Sequence, residues 1–165
     1  MNNVKAVSMN DAQRALYLPR FLPYRLTKLS GRISHSLAAK YSELFNLTIA
    51  EWRIVALLGS ESGLTAREIA PLASLDKVSI SRAVERLYKA GRLEKRKLAG
   101  DRRSAALYLT AKGKTMLAEI IPLAQDYEDK LLADFTPDEI EQLDRFLNRL
   151  DAKADTLRAA MKETD

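Results

Sequence analysis

Asp76-Lys-Val-Ser-Ile-Ser-Arg-Ala-Val-Glu-Arg-Leu-Tyr-Lys-Ala-Gly-Arg-Leu-Glu-Lys-Arg-Lys-Leu-Ala-Gly-Asp-Arg-Arg-Ser-Ala-Ala-Leu-Tyr-Leu109 is the stretch that decides the fold. Its first half predicts a helix from Lys77 to about Ala90. Asp76 is placed to cap the helix, and Gly91 suits the left-handed position that ends it. Val78, Ile80, Val84 and Leu87, helped by Ala83, are expected to face a core. Lys77, Ser79, Ser81, Arg82, Glu85, Arg86 and Lys89 remain for the outside. The second half reads as a hairpin of two short strands, Arg92–Lys97 and Ser104–Leu109. Residues 98–103 are expected to join them, with Gly100-Asp101 as turn formers and Arg102 and Arg103 at the tip.

Just upstream, Thr65-Ala-Arg-Glu68 has the pattern of a capping box and opens a short helix. Pro71 falls late in that helix, where it removes one hydrogen bond and is expected to kink or shorten it. Ser74-Leu75-Asp76 is a tight turn. Two short helices joined this way, the second polar and basic outward, are a helix-turn-helix, and the hairpin that follows is a wing. Charge agrees. Between Asp76 and Arg103 ten basic residues face four acidic ones, a net +6 in a chain whose total is +5. From Glu119 onward six basic residues face thirteen acidic ones. One segment is built to meet a polyanion and the tail is not.

Further out, Leu22, Leu26, Leu29, Ile33, Leu37, Tyr41 and Leu44 recur every three or four positions between about Pro19 and Phe45, an amphipathic helix. Thr48 and Glu51 form another capping box, opening a helix with Trp52, Ile54, Val55, Leu57 and Leu58. Ala111 to about Ala133 is expected to be helical and bent at Pro122. Thr136-Pro-Asp-Glu139 is a third capping box. Behind it Ile140, Leu143, Leu147, Leu150, Ala154, Leu157 and Met161 make a seam suited to helix–helix packing. A lone protomer would leave part of that seam bare, so a homodimer is expected, with Leu143, Leu147, Leu150 and Leu157 in its interface. The expected fold is mainly α with a small β-hairpin wing. It divides into an arm and dimerisation helix (1–46), a winged helix-turn-helix lobe (47–110) and C-terminal dimerisation helices (111–165).

The 165 residues contain no cysteine, which excludes disulfides and cysteine nucleophiles. A single histidine, His35, makes a zinc site improbable on chemical grounds. No apolar run approaches the roughly 20 residues of a membrane span, and the first residues lack a signal-peptide core and read as a loose arm. A cytoplasmic location is the expectation. No phosphate-binding glycine loop, metal-ligand spacing or nucleophile–base pair is legible, so no enzyme, cofactor or metal is expected.

Residues from about 48 to 113 resemble the MarR family of bacterial regulators. The carrying features are Asp76–Arg82, Glu85–Gly91, and Asp101-Arg-Arg-Ser-Ala-Ala-Leu-Tyr-Leu-Thr-Ala-Lys-Gly113, which matches the family's D-x-R wing followed by Leu-Thr-x-x-Gly. The resemblance implies a recognition helix in the major groove, with Ser79, Ser81 and Arg82 facing bases. It makes Lys77 and Arg86 contacts to phosphate or base, brings Arg102 and Arg103 to the DNA with Arg103 in the minor groove, and has Asp101 hold the wing. It also implies a homodimer on a pseudo-palindromic operator, with repression as the family's usual mode. Leu22–Leu26, Ser30–Ser34 and Glu51-Trp-Arg53 look similar to the subgroup that responds to hydroxycinnamate-type aromatic acids or their CoA thioesters. On that basis Tyr24, Arg32, His35, Ser36 and Trp52 are the candidate effector residues. The competing reading is a non-specific architectural DNA binder without ligand control, distinguished by its indifference to sequence.

Overall fold

The computed structural model describes residues 16–98 and 101–162, with Leu98, residues 101–104 and Lys162 described by backbone alone. The N-terminal arm of the sequence reading and the tip residues 99–100 lie outside the described residues. So do the side chains of Asp101, Arg102 and Arg103.

The chain folds as two compact units, Met1–Ala118 and Glu119–Asp165. In the first, a single 3-10 turn (Leu18–Arg20) leads into α1 (Leu22–Phe45), which ends at Asn46 in the left-handed conformation. α2 (Ile49–Ser60) opens with the expected capping box: Glu51 N–H donates to Thr48 Oγ1, and Thr48 N–H donates to Glu51 Oε2. α3 (Ala66–Leu72) opens the same way from Thr65 and Glu68. Pro71 sits inside α3, which closes one residue later. The turn after it is intact: Ser74 takes φ +51° and Leu75 N–H donates to the Ala70 carbonyl at 2.9 Å. α4 (Lys77–Lys89) starts on Asp76 and ends before Gly91, whose φ of +67° favours glycine.

The core of this unit draws on α1 to α4 and the hairpin. Tyr41 of α1, Ile54 and Val55 of α2, Ile69 of α3, Ile80 and Leu87 of α4 and Leu93 of the hairpin are all buried. One expected core residue is not among them. Val78 is 57% exposed. At 100° per residue it lies about 160° around α4 from Ile80, so apolar character alone misassigned its face.

The hairpin pairs β1 (Leu93–Leu98) with β2 (Asp101–Leu109) in antiparallel register, Leu93 opposite Leu109 and Lys97 opposite Ala105. β2 begins three residues earlier than the sequence suggested, and β1 is shifted by one residue toward the tip. A register shift between Lys97 and Leu98 lets Leu98 pair directly with Asp101, so residues 101–103 belong to a strand rather than to the connection. The loop before α3 pairs with β2, as Gly63 N–H donates to the Leu107 carbonyl and Leu107 N–H to the Leu64 carbonyl, both at 2.9 Å. The hairpin is thereby stitched to the entrance of the helix-turn-helix.

The Leu-Thr-x-x-Gly stretch fastens the hairpin's other end. Thr110 Oγ1 donates to the Gly91 carbonyl at 2.7 Å and accepts from Gly113 N–H at 3.1 Å. A Cβ on Gly113 would lie 2.1 Å from the Arg92 carbonyl oxygen, so no larger residue fits there without moving backbone. α5 (Ala111–Leu132) begins here and contains Pro122.

In the second unit, α6 (Pro137–Lys162) opens with the Thr136–Glu139 capping box, Thr136 N–H donating to Glu139 Oε2 at 2.8 Å. Leu143, Leu147, Leu150, Leu157 and Met161 are exposed along it. No helix among the described residues is long and apolar enough to cross a membrane.

Candidate nucleic-acid interface

The site is built on α4. Asp76 accepts from the N–H groups of Val78 and Ser79, both at 2.8 Å, and from the Ser79 hydroxyl at 2.5 Å. The hydroxyl and N–H of Ser79 hold the Asp76 carboxyl below its usual range. Ser79 is therefore engaged at the helix start. Ser81 and Arg82 lie further along α4, both exposed. The first turn of α4 carries no acidic residue and has Lys77 at its first position. Its charge sits beside the Asp76 carboxylate that caps the helix, and its side chain is exposed.

The structure sorts the basic residues of this segment into two groups. Arg86 Nε lies 3.1 Å from Oε1 of Glu51, a carboxylate only 2% exposed. Lys89 and Lys95 both pair with Glu85, whose carboxyl is lowered chiefly by the hydrogen bond from Lys95. Lys95 also sits over the Tyr88 ring. Arg96 is held by Glu94 and by the face of Tyr108, 4.2 Å from its centroid. Arg92 donates to the Phe45 carbonyl at 2.7 Å. These five cations fasten the lobe. Lys77, Arg82 and Lys97, by contrast, pair with no acidic group among the described residues, and all three are exposed. They stand on α4 and on β1.

Between α3, α4 and the hairpin lies a cleft of about 620 Å³. Ile80, Val84 and Leu107 form apolar wall, and Arg67, Lys77, Ser81 and Lys95 supply polar lining. Arg67, exposed in the first turn of α3, was not singled out from sequence; its place inside the Thr65–Glu68 box was the available signal.

The candidate effector residues do not converge. Tyr24 and Arg32 line a cleft of about 450 Å³ along α1, with Leu22, Leu26 and Lys28. Trp52 lines a different one of about 440 Å³, with Arg53, Leu57 and Leu72. His35 is exposed, its Nδ1 2.7 Å from the Gly31 carbonyl oxygen, and Ser36 is exposed beside it. Neither lines either cleft. Trp52 also packs against Tyr41, ring centroids 5.5 Å apart. No cluster of metal-ligating side chains occurs among the described residues.

This lobe has known counterparts. The MarR family model matches residues 47–105. The HTH-type transcriptional regulator BilQ of Clostridium symbiosum is 32% identical over 96 residues, which cover 58% of this chain and 67% of that protein. The chain belongs to the MarR family. It is a winged-helix, DNA-binding transcriptional regulator. The solved structure of a MarR/EmrR family regulator from Acinetobacter sp. ADP1 superposes with a TM-score of 0.78 at 27% identity, over 86% of this chain and 99% of that one. The PcaV regulator of Streptomyces coelicolor, solved with its natural ligand, shares the fold at 21% identity and a TM-score of 0.69, over 86% of this chain and 99% of that one. Within this MarR-family chain, α3 and α4 form the helix-turn-helix and the β1–β2 hairpin is the wing.

Proposed function

We propose that this MarR-family regulator is a homodimeric, sequence-specific repressor that leaves its operator when a small aromatic acid binds. The observation that carries the DNA part is the sorting of cations. Five make internal contacts, Arg86 through its Nε alone, while Lys77, Arg82 and Lys97 pair with no acidic group among the described residues and stand on the two elements that face a duplex in this reading. Arg82 is the residue for a bidentate contact to guanine, worth about 1–3 kcal/mol of discrimination. Ser81 adds a contact to base or phosphate, while Ser79, its hydroxyl proton given to Asp76, is left only to accept from a base. Lys77 and Lys97 contribute salt-dependent affinity, and Arg86, oriented through Nε by Glu51, offers its remaining N–H groups to phosphate. In this reading Arg102 and Arg103 also contact the DNA, Arg103 reading the narrow minor groove, and Asp101 holds the wing.

The dimer is supported by the exposed leucines of α6 and by an exposed apolar stripe on α1, including Leu22, Leu26 and Leu29. In this reading residues 47–110 bind DNA, in the cytoplasm, and the flanking segments pair two protomers. Two-fold symmetry then calls for a pseudo-palindromic operator. The aromatic effector is supported by the α1 cleft, where Tyr24 and three cations, Arg25, Lys28 and Arg32, meet leucine side chains. Such a lining suits an anionic ring. PcaV of Streptomyces coelicolor also carries a ligand on this fold.

The test is a mobility-shift titration on the protein's own promoter DNA, with random DNA as competitor. Preference for the promoter of at least about 10³-fold is expected, with release on adding an aromatic acid. Equal affinity for both DNAs would instead indicate an architectural binder. Retained binding in every aromatic acid tried would remove the effector part.

A further inference from the structure

Val78 is the side chain on α4 that folding does not explain. Ile80, Ala83, Val84 and Leu87 carry the buried face. Val78 and Arg82 fall on the opposite face, one helical turn apart, and Val78 is 57% exposed. A β-branched residue in an exposed first turn gains no packing and is a poorer helix former than alanine or glutamate. Its neighbours on that end of the helix are polar: Lys77, Ser81 and Arg82. Ser79 is tied to Asp76 and leaves Val78 as the apolar group beside Arg82. The major groove offers one apolar feature for such a group, the 5-methyl of thymine.

From this placement we infer that Val78 is a specificity-determining residue that reads a thymine 5-methyl group in each half-site. The inference rests on the reading that α4 enters the major groove. Side chains four apart on a helix lie about 5–6 Å from one another, and successive bases rise about 3.4 Å. The thymine therefore lies within about two base pairs of the guanine bound by Arg82.

The experiment replaces each thymine of the promoter half-site singly by deoxyuridine, which removes the methyl group and nothing else. Affinities are measured for the intact wild-type chain and for Val78→Ala. Wild type is expected to lose about fourfold per half-site at one position, the value for burying a single methyl group. Val78→Ala, which loses the contact in both half-sites of the dimer, is expected to bind thymine DNA about sixteenfold more weakly and to be indifferent to deoxyuridine at the same position. An unchanged thermal melt shows that the variant folds, as the exposure of Val78 predicts. Wild-type insensitivity at every thymine, or undiminished sensitivity in Val78→Ala, overturns the inference while leaving operator binding intact. Failure of wild type to prefer the promoter at all overturns the major-groove reading and the inference with it.

Discussion

Replacing Glu51 separates two jobs done by one buried carboxylate. Oε2 closes the capping box of α2, accepting from Thr48 N–H at 2.7 Å and from the Thr48 hydroxyl at 2.8 Å. Oε1 meets Arg86 of the recognition helix. Glutamine can serve the box as well as glutamate, so Glu51→Gln removes the charge and keeps the cap. Arg86 is 55% exposed, so the ion pair is discounted for solvent, and the loss should be about 0.5–1 kcal/mol. Glu51→Ala also removes the cap, worth about 1 kcal/mol, and should cost about 2 kcal/mol in total. Equilibrium urea unfolding of the full chain measures both. A double-mutant cycle with Arg86→Ala isolates the pair and should return a coupling of about 0.5–1 kcal/mol. Equal losses for Gln and Ala would show that the cap contributes nothing. Zero coupling would show that the recognition helix is not tied to α2 through this pair.

Three further outcomes follow from named groups. Arg103→Ala should weaken promoter binding about tenfold or more with an unchanged melting curve, and an unchanged mobility-shift affinity would remove Arg103 from the interface. Burial pushes the Tyr41 phenol up to about 12, with Arg53 opposing, so the fold favours the neutral ring. The stability it contributes is complete below pH 10 and is lost as pH rises toward 12; Tyr41→Phe should flatten that alkaline decline in urea titrations, and an unchanged decline would contradict it. Light scattering at micromolar concentration should give a dimer, and Leu147→Asp with Leu150→Asp a monomer. A monomeric wild type would refute the pairing.

Local chemistry was readable and long-range pairing was not. The three capping boxes, the Asp76 start and Gly91 stop of α4, and the hairpin all depend on residues within a few positions of one another. The sequence pattern alone placed each of them. The length of the wing connection was misjudged because the register shift at Lys97 and Leu98 is set by how the strands pair, not by turn-forming residues. Val78 is apolar yet lies about 160° around α4 from Ile80, so hydrophobicity without the helical angle misplaces its face. The division of cations was invisible for a different reason. Glu51 and Arg86 lie 35 positions apart, as do Phe45 and Arg92 at 47, and only the fold brings them together. The candidate effector residues share a chemical type, and the fold distributes Tyr24 and Trp52 to separate clefts.

Hydroxyl-radical footprinting of the intact chain on its promoter tests the central claim most directly, because it reports where on the duplex the recognition helix and wing sit. Two protected half-sites related by two-fold symmetry are predicted, about one helical turn apart, each with protection of the adjoining minor groove that Arg103→Ala removes. Uniform protection along the fragment, with no discrete site, would contradict sequence-specific binding by a dimer.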